Sequence, residues 1–317
     1  MDGFNKVHVA PMVGVTTAHF NYFLRIISKN IGLYTEMVST NSIRHGKVLN
    51  RVPRVEDKLT IQLAGNCPGE LGFCAGLAEY KGYAAINLNV GCPSSKIKKA
   101  NYGAVLFKSP SLVAACVGAM KDNCDIPVSV KTRIGVDDFD NYQYLARFME
   151  QLLRSGCDEI VLHARKALLK GLSPKANRTI PRLRYDVVES IKKDFPDAKI
   201  CINGGIGAIG SIVNFCDSFD SVMLGRIIDK NPMILQEIDK CIYNDVTNNY
   251  TRHDIFQHYS SYIDMHKYSY SNIMLMKPLM GLFYGTPLAK KWHKAIIDSF
   301  NSKNGIDLDG LRNLAFV

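Results

Sequence analysis

"AINLNVGCPSSK", residues 85–96, alternates apolar residues with two asparagines and then breaks at Gly91, Cys92 and Pro93. Ala85, Ile86, Leu88 and Val90 suit a buried strand, and the Gly-Cys-Pro that follows ends it. Short apolar, β-branched runs of the same kind recur at 7–12, 33–38, 59–65, 127–135, 159–166, 199–206 and 221–228, which makes eight in all. Between them run stretches such as "PGELGFCAGLAEYKG" and "PSLVAACVGAMKDN", in which apolar residues return every three to four positions behind a Pro or Ser start. Eight strands apolar enough to be buried on both faces, alternating with helices, describe an α/β fold of the (β/α)8 TIM-barrel type.

The strand pattern stops near residue 243, so the barrel is expected to occupy residues 1–243. Beyond it, "HDIFQHYSSYIDMHKY", "SNIMLMKPLMGLFYG" and "LAKKWHKAIIDSFNSK" read as amphipathic helices, which predicts an all-helical domain over 244–317. Such helices could simply cap the barrel. The aromatic, basic "KKWHKA" and the tyrosines Tyr259, Tyr262, Tyr268 and Tyr270 leave room for nucleic acid instead.

Composition narrows the classes of function. The 317 residues are 47% hydrophobic and 21% charged, ordinary values for a soluble globular protein. No apolar run approaches the ~18 residues of a membrane span. The amino-terminal "MDGFNKVHVAPM" lacks the basic start and long apolar core of a secretory signal, so a cytoplasmic protein is expected. Nine cysteines lie scattered without zinc-binding or thioredoxin spacing, which argues for reduced thiols and against a disulfide frame or a metal. The net charge of +10 is compatible with a polyanionic partner. It is concentrated in residues 165–184, where Arg165, Lys166, Lys170, Lys175, Arg178, Arg182 and Arg184 occur without an acid; a solvated basic loop is the competing reading.

Polar residues mark the carboxyl ends of the strands: Gln62, Asn87, Asn89, Lys131, Arg133, His163, Arg165, Asn203 and Arg226. In a barrel of this kind that end carries the active site. Gly204 and Gly205 after strand seven, with Gly225 and Arg226 after strand eight, suit a phosphate, because glycine lets backbone N–H groups approach it and arginine adds a forked donor. A tight turn is the alternative for the Gly-Gly pair alone. Lys131 would stabilise the negative charge on the pyrimidine edge of a reduced flavin, and Gln62 could bond the same edge. For Lys131 the alternative is a phosphate or carboxylate partner; for His163 it is a core imidazole bonded to backbone.

The segments "APM" at 10–12, "NLNVGCPS" at 87–94, "VKTRIGVDDFDNY" at 130–142, "HARKALLKGLSPKANRTIPRLRY" at 163–185, "INGGI" at 202–206 and "GRIIDKNP" at 225–232 occur in order at strand ends. Together they resemble the flavin-dependent tRNA-dihydrouridine synthases, and the long "HARKA" block resembles their A-type subfamily. The resemblance implies reduction of the uracil 5,6 double bond in the D-loop of tRNA at positions 20 and 20a. It also implies FMN as hydride carrier, NADPH as reductant, and a monomer with neither membrane nor metal partner. FMN would be bound by Pro11, Met12, Val13, Gln62, Lys131, His163, Asn203, Gly204, Gly205, Gly225 and Arg226. Cys92 would be the acid that protonates carbon-5 after hydride reaches carbon-6. A thiol suits the task because its ordinary pKa of about 8.5 keeps it protonated near neutrality yet able to release the proton. Asn89 would hold the base through its amide, and Arg133 would stabilise charge on its carbonyls. Lys175, Arg178 and Arg182 from the loop, with Lys290, Lys291 and Lys294 from the last long helix, would form two positive walls gripping tRNA beside the mouth.

The chain departs from the family pattern at Val15 and Thr17, where an aromatic and an Asp are common, and at Arg182 and Asp229, where Pro and Tyr are. Two other readings compete: a dihydroorotate-dehydrogenase-like flavin enzyme acting on a free pyrimidine, and a tRNA-binding barrel without catalysis. The first has no use for the basic stretch and the helical tail, and the second would not keep a flavin.

Overall fold

Successive side chains of a strand point to opposite faces, so each strand here feeds two different layers. The structure, a computed structural model, describes residues 5–46, 59–300, 302 and 306–315. Its strands are β1 (Val7–Val9), β2 (Leu33–Ser39), β3 (Leu59–Ala64), β4 (Ala85–Val90), β5 (Val128–Arg133), β6 (Glu159–His163), β7 (Ile200–Asn203) and β8 (Ser221–Leu224). All pair in parallel in the order β1-β8-β7-β6-β5-β4-β3-β2. The ends of that sheet meet through Gly32, whose carbonyl accepts the Val9 N–H at 2.8 Å and whose own N–H reaches Val7 O at 3.0 Å. The result is the barrel that the eight apolar runs predict.

Outward residues such as Ile61, Leu63, Ile86, Leu88, Val130, Leu162, Ile202 and Leu224 join the helices in one continuous apolar cluster. The lumen holds a second, small one of Ala10, Tyr34, Val161, Cys201 and Met223. Polar groups fill the remaining inward positions. On the lumen floor Ser221 Oγ donates to Glu159 at 2.6 Å, and ligand-type atoms of His8, Glu159 and Cys201 lie within 4.8 Å of one another.

Helices begin behind prolines as expected, at Pro68–Tyr80 and Pro110–Lys121, where a missing N–H costs nothing. The helix Ala18–Ile27 starts at Thr17, whose side chain accepts the Phe20 N–H. Threonine here does the capping work an Asp would do, which accounts for one departure from the family pattern.

The tail comprises the helices Arg252–His266, Ala289–Phe300 and Leu308–Ala315. The stretch between the first two is not one helix: Asn272–Met276 passes into a 3₁₀ turn at Lys277–Gly281, because Pro278 has no N–H to continue the ladder. The tail packs on the barrel through aromatics, with Tyr259 against Phe23 (ring centroids 5.3 Å apart) and Tyr262 stacked on Tyr22 (4.1 Å). His19 Nδ1 and the Tyr262 hydroxyl are 2.7 Å apart in the same seam. Tyr259 and Tyr262 are therefore buried adhesive rather than a nucleic-acid surface, and of the four tyrosines only Tyr268 is largely exposed. Trp292 of "KKWHKA" is likewise buried, donating to Leu279 O at 2.8 Å. Among the described residues no helix is long and apolar enough to cross a membrane.

Candidate active site

Parallel register sets Gln62 beside Asn87, Asn87 beside Ser129, and Asn89 beside Lys131, all inside the lumen. Their side chains form one directed chain. Ser129 Oγ donates to Ile86 O at 3.1 Å, Asn87 Nδ2 to Ser129 Oγ at 2.8 Å, Gln62 Nε2 to Asn87 Oδ1 at 2.7 Å and Asn89 Nδ2 to Gln62 Oε1 at 2.8 Å. Asn89 Oδ1 then accepts the Cys92 N–H at 2.9 Å and the Gly91 N–H at 3.2 Å. Each link dictates which way the next amide points, so this satisfied, buried network makes the turn after β4 rigid. Asn89 is thus the hook for Cys92, with one amide N–H left over for a base.

The Cys92 backbone is fixed from two further directions. Arg133 Nε donates to Gly91 O at 3.3 Å, and the Ala104 N–H donates to Cys92 O at 2.9 Å. Gly103 permits the second contact: its φ is +68°, and a Cβ there would lie 2.5 Å from Cys92 O. Cys92 itself is half-buried, held rigidly yet reachable from the mouth.

Beside it lies a cationic floor. Lys131 Nζ donates to Asn203 Oδ1 at 2.8 Å, and Asn203 Nδ2 to Met223 O at 2.8 Å. Burial, helped by neighbouring Arg133, pulls the Lys131 ammonium from its usual 10.5 down to about 7. Arg133 is itself lowered to about 10, mainly by burial, with Cys92 acting in the other direction. His163 is driven well below its usual range by burial and by Arg133, Lys131, Arg165 and Arg226, so it is a neutral imidazole at pH 7. The turn at Gly204 (φ +124°) and Gly205 (φ +70°) lies against His163 and Leu183, where a Cβ on either glycine would come within 2.7 Å of a side chain. Gly225 faces Ala10 and Met12. Arg165 Nε is buried without a partner among the described residues. Crowded cations of this kind are costly to bury unless an anion joins them; a phosphate-bearing, electron-rich cofactor fits.

The remaining predicted residues spread around the mouth. Met12 O accepts the N–H groups of Val15 and Thr16, Pro11 is half-buried, and Val13 is 69% exposed. Lys277 from the tail donates to the carbonyl of neighbouring Gly14. In the loop 165–184, Arg165 donates to Thr179 O and Pro181 O, while Lys166 and Arg184 pair with Asp140 and Asp186. Part of that basic run is therefore structural. Lys175, Arg178 and Arg182 are exposed, as are Lys290, Lys291 and Lys294 on the helix Ala289–Phe300. Arg226 Nη2 donates to Arg178 O at 3.2 Å.

Sequence reasoning passes over Ser129, Gly103 and Asn177. Asn177 is fully buried and laces the loop, accepting the Leu168 N–H at 2.8 Å and donating to Leu168 O at 2.9 Å. Asn-Tyr-Gly at 101–103 carries a turn signal for Gly103. Nothing local marks Asn177 or Ser129, whose partners are distant in sequence.

Residues 8–314 match the family described as Dihydrouridine synthase (Dus). The tRNA-dihydrouridine(20/20a) synthase of Shewanella oneidensis is 41% identical over 303 residues, covering 95% of this chain and 90% of that protein. The protein of the same name from Synechocystis sp. is 42% identical over 299 residues, with 93% of this chain and 89% of its own covered. That of Escherichia coli is 40% identical over 312 residues, covering 97% of this chain and 90% of its own.

Proposed function

The chain belongs to the dihydrouridine synthase family, and from that premise we propose that it reduces uridine to 5,6-dihydrouridine at positions 20 and 20a of tRNA, with Cys92 as the proton donor. The observation that carries the assignment of the acid is the three-sided grip on Gly91 and Cys92, which holds one half-exposed thiol at the mouth beside a cationic floor.

FMN, on which the family depends, supplies the hydride when bound. Lys131, His163, Asn203, Gly204, Gly205, Gly225 and Arg226 would hold it, with Gln62 and the turn Pro11, Met12, Val13 closing its edges. NADPH serves as the reductant. A uridine must leave its stack to reach Cys92, because a folded tRNA is far larger than the barrel mouth. Once carbon-6 has accepted a hydride, carbon-5 carries the excess electron pair and takes the proton from Cys92 Sγ. Water then returns a proton to the thiolate left behind. The second N–H of Asn89 would bond a uracil carbonyl, and the nearby charges of Lys131 and Arg133 would favour the negative charge that develops there.

The helical tail and the loop would grip the tRNA phosphates through Lys290, Lys291, Lys294, Lys175, Arg178 and Arg182. A tRNA substrate implies work in the cytoplasm, and one chain contains every residue invoked. The test is direct: an unmodified tRNA transcript is incubated with flavin-loaded protein and NADPH, and its nucleosides are weighed and mapped. Dihydrouridine at 20 and 20a is expected; fully reduced flavin with no dihydrouridine in any transcript would overturn the reading.

A further inference from the structure

The polar groups on the lumen floor take no part in the chemistry at the mouth. His8 on β1, Glu159 on β6 and Cys201 on β7 are each at most 2% exposed, and their ligand-type atoms lie within 4.8 Å of one another. A metal ion bonded at about 2.0–2.3 Å holds its ligand atoms roughly 3.5 Å apart. His8 Nε2 and Glu159 Oε1, 3.7 Å apart, already stand near that spacing, and Cys201 lies little more than about 1 Å outside it. Two further observations point to a ligand. Glu159 Oε2 is buried without a partner among the described residues, although its twin Oε1 receives the Ser221 hydroxyl at 2.6 Å. A bare carboxylate oxygen shut away from water is costly, and a cation beside it removes the cost. The imidazole, for its part, has a place made for it: a Cβ on Gly32, where the barrel closes, would fall 2.3 Å from His8 Nδ1.

We propose that His8, Glu159 and Cys201 bind one divalent ion of the zinc class, with Ser221 holding the carboxylate from behind and Glu159 Oε2 completing the set. Imidazole nitrogen, carboxylate oxygen and thiolate sulfur together are donors that zinc accepts, whereas calcium and magnesium take oxygen ligands. The thiol gives its proton to solvent as the metal bonds to sulfur. Two positive charges then meet one carboxylate and one thiolate, so the closed site is neutral, which is the condition for burying charge in the lumen. The three ligands come from strands far apart in the chain, so no close spacing of cysteines announces them. The role of the ion is structural. β1 is three residues long and runs into the turn Pro11, Met12, Val13, and the ion ties it across the lumen to β6 and β7, with which it does not pair.

The test uses the full-length, flavin-loaded protein, dialysed against zinc and then against metal-free buffer. Elemental analysis should return about one zinc per chain, and X-ray absorption at the zinc edge should show one sulfur at about 2.3 Å beside nitrogen and oxygen at about 2.0–2.2 Å. Cys92 is half-buried and Cys67 and Cys241 are exposed, so zinc on one of those thiols is the result to be told apart. In Cys201→Ser the sulfur should vanish from the spectrum, and in His8→Gln, altered on a different strand, zinc affinity should fall at least tenfold. A chelator should lower the Tm of the unaltered protein and leave that of Cys201→Ser where it was. Unaltered protein that retains no zinc overturns the proposal without any variant and leaves His8 and Glu159 as a plain buried pair. So does retained zinc with no sulfur neighbour, or zinc whose sulfur signal survives in Cys201→Ser.

Discussion

Lys131 owes its lowered pKa of about 7 to burial and to Arg133, and an anionic ligand beside it would restore the group toward its ordinary range. The sign of the pH effect follows. Above pH 7 the ligand-free protein holds a neutral Lys131, so binding FMN must take up a proton, and affinity should fall as pH rises from about 7. Titrating FMN into flavin-free protein between pH 6 and pH 9 measures the slope. The Lys131→Met variant should bind more weakly at the acid end and show a flatter profile; a wild-type affinity that is flat or rises with pH would remove Lys131 from the flavin site. The same depressed pKa opposes folding below about 7, where the unfolded chain keeps an ammonium that the native one must bury, and the penalty fades as pH rises toward 10.5.

The element that presents the chemistry is β4 with the turn behind it, and the loop 165–184 closes over one side. Asn177 is the pin of that loop, so Asn177→Ala leaves the Leu168 N–H and C=O without their partner. The expected loss of stability is about 1–3 kcal/mol. Hydrogen exchange at Leu168 should accelerate while the amides of β6 stay protected; unchanged exchange at Leu168 would mean that the loop is held elsewhere. How legible such elements are depends on whether their signal is local. Strand cores are readable from apolar runs, but the runs overshoot the strand ends: the sixth extends to residue 166 while the strand stops at His163, and the eighth extends to 228 while the strand stops at Leu224. Ile227 and Ile228 prolong that last run although they belong to the helix Arg226–Lys230, because a short apolar stretch does not distinguish a helix from a strand. Strand-end polar residues can be named from sequence, and the positive-φ turn at Gly204–Gly205 is visible in its glycines. The amide chain from Ser129 to Cys92 is not, since it joins β5, β4 and β3 through a register that only the folded sheet supplies.

For the molecule as a whole, barrel and tail share one apolar cluster. A chain cut near residue 243 would expose Tyr22 and Phe23, which now face Tyr262 and Tyr259, so replacing surface charges is the cleaner way to ask what the tail does. Exchanging Lys290, Lys291 and Lys294 for Ala together should weaken tRNA binding and lessen its salt dependence by somewhat less than one unit of log–log slope for each phosphate no longer neutralised. Affinity and slope both unchanged would leave the tail as a cap on the barrel. The central claim, that this chain reduces a tRNA uridine with Cys92 as its acid, is met most directly by a single turnover. Flavin-loaded protein and its Cys92→Ala variant are reduced beforehand, mixed with unmodified tRNA, and followed by flavin reoxidation and by dihydrouridine formed. The unaltered protein should give about one dihydrouridine per flavin, and the variant, equally loaded and equally reduced, should form it at least a hundredfold more slowly. A variant that forms dihydrouridine at the unaltered rate would contradict the account.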